Sequence, residues 1–289
     1  MSGQKIIAVV GLGLIGGSMA AALRGFEDYK VVGVARRQET VDYALRHHIC
    51  DEATTDPMEV LPREDVVWLC MNPKGIVRYL DEYKSVFKPG CLVTDVGGVK
   101  TAIMEGAKVL PETVDFIGCH PMAGTEFSGI EHSFKTMFQR AHFIVTPRAE
   151  SSQAHLDLMS RFAHYIGCAD VITTSAEKHD AIIAYTSQVM HIIAVAVCDD
   201  EDLFQCRGFE GGSFRDCTRV AALDVGLWTQ LFSMNAPALS KVIERLEVNL
   251  HAYREAIDKG DEGFLAEKLA WSANRKRQMN LPGPGQVVL

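Results

Sequence analysis

The side chains in this sequence that could do chemistry fall into three groups. The run Phe116-Ile117-Gly118-Cys119-His120-Pro121-Met122-Ala123-Gly124-Thr125-Glu126 is apolar and then breaks into a polar loop. As a strand it would put His120 at its carboxyl end, where open α/β sheets gather their ligands. A neutral imidazole there can take a proton from a substrate hydroxyl while hydride leaves the same carbon. A lone histidine is more often structural; the strand end, with its glycine and proline, singles this one out. The second group, Gly211-Gly212-Ser213-Phe214-Arg215-Asp216-Cys217-Thr218-Arg219-Val220-Ala221, sets Arg215 and Arg219 four residues apart. On a helix they share one face. A glycine-rich lead-in followed by arginine suits capture of a carboxylate, although such arginines also form plain surface pairs.

The third group is Gly11-Leu12-Gly13-Leu14-Ile15-Gly16, which follows a β-branched run and opens a helical one. Gly11, Gly13 and Gly16 allow a tight turn, close approach of backbone to a pyrophosphate, and close helix–strand contact. Leu14 and Ile15 begin the helix whose N–H groups and dipole favour phosphate. A glycine-rich packing turn would carry the same pattern without the strand, helix and second strand that flank it here. That second strand ends Val32-Gly33-Val34-Ala35-Arg36-Arg37. An acidic residue usually stands at its end to hold the ribose 2′-hydroxyl of NAD. Ala35 occupies that place, and Arg36 and Arg37 follow. Guanidinium forks suit a 2′-phosphate, so NADP is expected in preference to NAD. Two solvated surface arginines remain the plainer alternative.

These groups need elements to position them. Lys5–Val10, Val31–Val34, Asp65–Met71, Gly90–Val96, Phe116–Cys119, His142–Thr146 and Val171–Thr174 read as strands. Leu12–Leu23, Thr40–His47, Lys100–Val109 and Ser152–Ile166 read as helices between them. Alternation of this kind implies βαβ units and a mostly parallel sheet. After Ser175 the strand signal ends. Ala176–Val197, Gly226–Ser233, Ala236–Lys259 and Glu262–Gln278 read as helices. The expected organisation is α/β: a doubly wound, Rossmann-type dinucleotide-binding domain over 1–174, then an all-α domain over 175–289.

Composition narrows the function classes. The chain has 289 residues, 47% hydrophobic and 23% charged, with 29 basic against 37 acidic side chains and a net charge of −8. That is an ordinary globular composition at about two domains' length. An acidic chain has no global pull toward nucleic acid or anionic lipid. The apolar stretch from Ala181 to Val197 is interrupted by Thr186, Ser187, Gln188 and His191. It falls short of the ~20 mostly apolar residues of a membrane span and reads as a helix buried inside protein. Such a helix is too apolar for an exposed surface, so a homodimer through the helical half is expected. The N-terminus lacks a signal-peptide layout. None of the eight cysteines forms a C-x-x-C pair, so zinc-ribbon and thioredoxin readings fail, no metal site is expected, and a reducing cytoplasm is.

Taken together, the motifs resemble the prephenate/arogenate dehydrogenase family of tyrosine biosynthesis. The matching stretches are Gly11–Gly16 with Gly17-Ser18, Asp95-Val96-Gly97-Gly98-Val99-Lys100, and His120–Glu126 with Ser128-Gly129. Thr186–His191, Phe214–Ala221 and Trp228 complete the set, in order across nearly the whole chain. The resemblance implies oxidative decarboxylation of prephenate or arogenate: hydride leaves C4 for the nicotinamide, CO₂ leaves C1, and aromatisation drives the step. By matching position it implies that His120 handles the C4 hydroxyl proton and Arg219 binds a substrate carboxylate. It further implies that Glu126 lines or gates the pocket, His191 faces it, and Asp95 lies in the cofactor site. A dimerising helical domain is implied as well.

Two positions depart from the family. Gly98 stands where serine commonly bonds the reacting hydroxyl or its histidine; glycine cannot, so a water or another hydroxyl must serve, or His120 works less well oriented. Gln188 stands where histidine often faces the substrate's keto-acid or amino-acid side chain, which leaves prephenate and arogenate both open. Two rival readings stay in view. A β-hydroxyacid dehydrogenase would use a lysine of the second domain, for which Lys178 is available, and would leave His120 idle. A non-catalytic NADP-sensing protein would need neither His120 nor Arg219.

Overall fold

The structure, a computed structural model, describes residues 4–125 and 127–280. Two compact units emerge, Met1–Leu239 and Ser240–Leu289. The first contains β1 (Lys5–Val10), α1 (Leu14–Leu23), β2 (Tyr29–Val34), α2 (Gln38–Arg46), β3 (Glu52–Thr54) and β4 (Val66–Leu69). It continues with α3 (Pro73–Tyr83), β5 (Leu92–Asp95), α4 (Thr101–Gly106), β6 (Asp115–Pro121), β7 (His142–Pro147), α5 (Gln153–Tyr165) and β8 (Asp170–Thr173). The eight strands form one sheet in the order β3-β2-β1-β4-β5-β6-β7-β8. Every pairing is parallel except β6 with β7.

β1 shows why the core divides into two layers. Ile7 and Val9 join the cluster that holds Met19, Trp68, Phe143 and Phe162. Ile6, Ala8 and Val10 join the cluster that holds Ile76, Leu80 and Ile103. Successive side chains of a strand point to opposite faces, and helices cover both faces of a parallel sheet, so the strand is apolar throughout rather than alternating. The order of strands reverses between β1 and β4, which opens the ligand crevice of a doubly wound sheet. The Gly11–Gly16 turn leaves β1 at that point.

Helix α3 has no counterpart in the sequence reading, where Asn72-Pro73 marks only a strand end. The Asn72 side chain accepts a hydrogen bond from Gly75 N at 2.8 Å, and Pro73 starts the helix with the φ that a first turn needs. Beyond β8 come α6 (Ala176–Ile183), a π-helical turn at Ala184–Gln188, α7 (Val189–Cys198), α8 (Gly212–Thr218) and α9 (Val225–Met234). The change from strand to helix near residue 174 is therefore no break in packing. α6 lies against α4 and α9 against α3, so the first compact unit runs on to Leu239.

The Ala176–Cys198 segment meets the length and composition of a membrane span, yet only 28% of its apolar window is buried. This corrects the expected buried helix. Its Ile182, Tyr185, Met190 and Val197 stand exposed on the single chain. α10 (Ala236–Lys259) crosses from the first unit into the second, where α11 (Glu262–Met279) follows it. Leu250, Ile257, Leu269 and Trp271 of the second unit are exposed as well.

Glu64, just before β4, is fully buried, and neither carboxyl oxygen has a hydrogen-bond partner. Burial pushes its pKa up to about 8 from an ordinary 4.5. The native state thus holds this proton more tightly than the unfolded chain. Its contribution to stability is complete below pH 4.5 and is lost as pH climbs toward about 8. Glu64→Gln should remove that loss. Between pH 5 and 9 the melting temperature of the wild type should fall by a few °C more than that of the variant, at ~2–4 °C per kcal/mol. Parallel melting curves across this range would show that Glu64 does not titrate there.

Candidate active site

The glycines of the first turn have separate duties. Gly11 has φ +94°, and an added Cβ would lie 2.5 Å from the Cys70 carbonyl oxygen. At Gly16 an added Cβ would lie 2.0 Å from the Gly11 carbonyl oxygen. These two residues let the turn, β4 and α1 come together. Around Gly13 there is nothing within 4 Å of an added Cβ, so its backbone is open to an approaching ligand. Leu14 is buried and Ile15 half-buried at the start of α1, so what they can offer a phosphate is backbone N–H. Beside this turn lies a cavity of about 540 Å³ whose lining includes Gly13, Ala35, Arg36, Arg37, Thr40 and Gly129. Both arginines are exposed, and no carboxylate is among the lining residues. An open glycine, a helix start and two guanidinium groups fit a dinucleotide.

His120 lies in β6, opposite Ile144 of antiparallel β7, and is half-buried. Its imidazole is not isolated. Nδ1 is 2.9 Å from Nε2 of His179, and Nδ1 of His179 is 2.8 Å from Oδ1 of Asp180. Asp180 also accepts from Lys100 N at 2.7 Å and from Thr101 N at 2.8 Å. Burial raises the Asp180 pKa, but the hydrogen bonds from His179, Thr101 and Lys100 outweigh it, and the carboxyl is held below its usual range. An ionised Asp180 can only accept, so His179 Nδ1 donates to it. In neutral His179, Nε2 then accepts from His120 Nδ1, which leaves Nε2 of His120 free to take a proton. Burial pulls the His120 pKa well below its ordinary value, and the charges of His179 and Lys100 pull the same way against Asp180.

The group that orients His120 is neither a water nor another hydroxyl, as glycine at 98 suggested, but a second histidine, His179. It stands 59 residues further along the chain, on α6, next to the Lys178 that the rival lysine mechanism would use. Lys178 itself is exposed. Gly98 also has a physical reason. An added Cβ there would lie 3.2 Å from Leu231 Cδ2 and 3.9 Å from His120 Cε1. The Leu231 side chain crowds the space that a serine side chain at this position would need.

Asp95 corrects another expectation. It is fully buried. Its oxygens accept from Gly97 N at 2.7 Å and Cys119 N at 3.3 Å, and it pairs with the buried Lys100 ammonium. It clamps the loop bearing Gly97 and Gly98 to β6 and has no open face for a cofactor. Gln188 is corrected likewise. It is buried at the end of the π-helical turn, where Nε2 donates to Leu231 O at 3.2 Å and Oε1 accepts from Asn235 Nδ2 at 2.7 Å. It joins α9 to the helix below and does not present an open amide to a ligand.

His191 stacks on Trp228 with ring centroids 3.6 Å apart. Its Nδ1 lies 3.0 Å from Ser187 O and must donate to it, which leaves Nε2 as an acceptor. Burial lowers its pKa, and the nearby Arg219 charge adds to that. Arg219 begins the 3-10 turn after α8, is exposed, and has no ion pair among the described residues. That turn packs against α7, which carries His191. Glu126 lies outside the described residues.

Comparison with known proteins gives a consistent set of relatives. Residues 19–172 match the family model described as prephenate dehydrogenase, nucleotide-binding domain. Residues 175–271 match that described as prephenate dehydrogenase, dimerization domain. A cyclohexadienyl dehydrogenase of Zymomonas mobilis is 31% identical over 91% of this chain and 92% of its own. The solved prephenate dehydrogenase of A. aeolicus, in complex with hydroxyphenyl propionate and NAD+, is 30% identical with a TM-score of 0.86, covering 97% of this chain and 99% of that one. Synechocystis arogenate dehydrogenase is 29% identical with a TM-score of 0.82, over 96% and 100%. A 3-hydroxyisobutyrate dehydrogenase of Mycobacterium tuberculosis, at 16% identity and a TM-score of 0.53 over 74% and 69%, shares the fold alone.

Proposed function

This chain belongs to the prephenate dehydrogenase family, and from that premise we propose how its own residues carry the reaction. It is an NAD(P)-dependent oxidoreductase that decarboxylates a cyclohexadienyl substrate, prephenate or arogenate, on the way to L-tyrosine. The observation that carries the reading is the free Nε2 of His120 at the carboxyl end of β6, with Nδ1 held by His179. A bound nicotinamide cofactor supplies the hydride acceptor. His120 accepts the proton of the C4 hydroxyl as that carbon is oxidised. Arg219 grips a substrate carboxylate, and His191, fixed by Trp228 and Ser187, offers Nε2 to the substrate. Glu126 keeps its pocket-lining role on the resemblance alone. Residue 174 is taken as the boundary between the cofactor and substrate halves. All eight cysteines are free, in keeping with the cytoplasm.

Two features support NADP as the preferred cofactor: Ala35 in place of an acidic residue, and Arg36 and Arg37 lining the cavity. Replacing both arginines by alanine should weaken NADP binding by ~1.5–3 kcal/mol for each lost charge-assisted contact. Affinity for NAD should change little. Titration of the wild type with each cofactor decides it, and equal affinities would sink the preference.

Assembly as a homodimer would cover the apolar side chains left open on Ala176–Cys198 and on the two last helices. Sedimentation at micromolar concentration should return twice the 31.8 kDa of one chain; a monomer would contradict it.

The reaction itself is tested by incubating the protein with NADP⁺ or NAD⁺ and prephenate or arogenate while following the reduced cofactor optically. His120→Asn should lower kcat by ~10²–10⁴-fold with KM little changed, because asparagine keeps a polar group but takes no proton at neutral pH. Arg219→Ala should act chiefly on KM, since a carboxylate grip is made in ground state and transition state alike. The acidic limb of the wild-type rate should lie below the ordinary histidine range, because burial depresses the His120 pKa. An Arg219→Ala enzyme with wild-type KM would move the carboxylate to Arg215.

A further inference from the structure

His120 as placed has a difficulty that its neighbours resolve. A half-buried base beside the Lys100 ammonium and a second histidine is a poor resting place for positive charge. The compensating carboxylate does not touch His120. It is Asp180, one imidazole further back, in contact with His179 at 2.8 Å. The Asp95 carboxylate is already engaged by Lys100. His179 is buried, so it exchanges protons only through its two neighbours.

We propose that His179 is a positioning residue that stores the substrate's hydroxyl proton during turnover, with Asp180 balancing the charge. The proposal rests on the reading of His120 as the base. The substrate O–H bond breaks and its proton goes to His120 Nε2. The proton on His120 Nδ1 moves along the 2.9 Å contact to His179 Nε2. His179 then carries two protons between His120 and ionised Asp180. At C4 the hydroxyl oxygen becomes a carbonyl as the hydride leaves to the nicotinamide. When the C1–carboxylate bond breaks, its electron pair enters the ring, CO₂ departs, and the oxygen becomes phenolic. That oxygen takes a proton back from His120 Nε2, and His179 returns its own to His120 Nδ1. The net reaction consumes and releases no proton at the relay. The charged groups that face it are Lys100 and Asp95 at the β5–α4 junction, His120 on β6, and Asp180 on α6 itself.

The test is His179→Gln. The glutamine carbonyl can still accept from His120 Nδ1 and hold the ring, but it cannot take a proton. If His179 stores the proton, kcat should fall ~100-fold with KM and cofactor affinity within a few-fold of wild type. The acidic limb should move to lower pH, because the pair loses the site beside Asp180 where its proton rests. The rate in H₂O/D₂O mixtures should bow for the wild type, with two protons in flight, and become linear for the variant. A variant with wild-type kcat and acidic limb, or a linear wild-type plot, would overturn the relay and leave His179 an orienting group only. If glutamine unfolds the protein, judged by its melting curve, Asp180→Asn carries the same test, since its one oxygen can still accept from Lys100 N and His179 Nδ1 while the charge is lost. A wild type inert toward both substrates would overturn the assigned function and the relay together. An active wild type with an active His120→Asn enzyme would overturn the base, and the relay with it.

Discussion

The arrangement depends on one carboxylate. Asp180 accepts from the Lys100 and Thr101 amides at the start of α4 and from His179 on its own helix. Its backbone carbonyl accepts from Asn235 Nδ2, which also bonds Gln188. The sheet's loops and the helices that follow the last strand are therefore joined through hydrogen bonds on a single buried residue. A buried charge is tolerated only when its bonds are made, and here two come from consecutive amides at the start of α4 and one from the neighbouring residue on α6. Truncating the side chain, as in Asp180→Ala, would release α6 from α4 and free the ring that holds His120.

A second buried charge works beside it. Lys100 and Asp95 are both fully buried and paired, and Asp95 further accepts from Gly97 and Cys119 amides. Breaking such a pair by removing one partner leaves an uncompensated charge and costs ~3–5 kcal/mol. The pair fixes the β5–α4 loop against β6, one residue before His120. Gly98 then passes under Leu231, where an added Cβ would lie 3.2 Å from Leu231 Cδ2. Catalytic geometry in this site comes from two buried carboxylates that never need to reach the substrate.

The legible parts of the sequence are those set by local rules. β1, the glycine turn, α1 and β2 follow from short-range pattern, and the strands and helices up to α5 fall close to where periodicity puts them. Ala236–Lys259 matches to the residue. α3 escaped because its start is a cap, an asparagine and a proline that also suit a strand end. The site was harder. His120 and the glycines carry positional signals. His179 has none: Glu177-Lys178-His179-Asp180 reads as ordinary helix start, and its importance appears only when 59 residues of chain fold back. Asp95 and Gln188 fail for the converse reason. Both sit in family motifs, but burial and bonding partners, which no spacing reveals, turn them inward.

The glycine at position 98 and the histidine at 179 are two sides of one packing problem. A serine at 98 would approach His120 from the β5–α4 loop, where its Cβ would press on Leu231 Cδ2 of α9 at 3.2 Å. With an apolar side chain on the loop side, Nδ1 of the ring makes its hydrogen bond to His179 Nε2 at 2.9 Å. Leu231 also accepts from Gln188 through its backbone carbonyl, so the same short stretch of α9 that crowds position 98 holds the π-helical turn. π turns are rare and cluster at functional sites because they shift the helix by one residue without breaking it. Here the shift lies between α6, which carries His179 and Asp180, and α7, which carries His191. The orientation of the helix turn that carries His179 and Asp180 and of the one that carries His191 is thus set within a single helical run, by whether α9 can seat Leu231 and Asn235 against it.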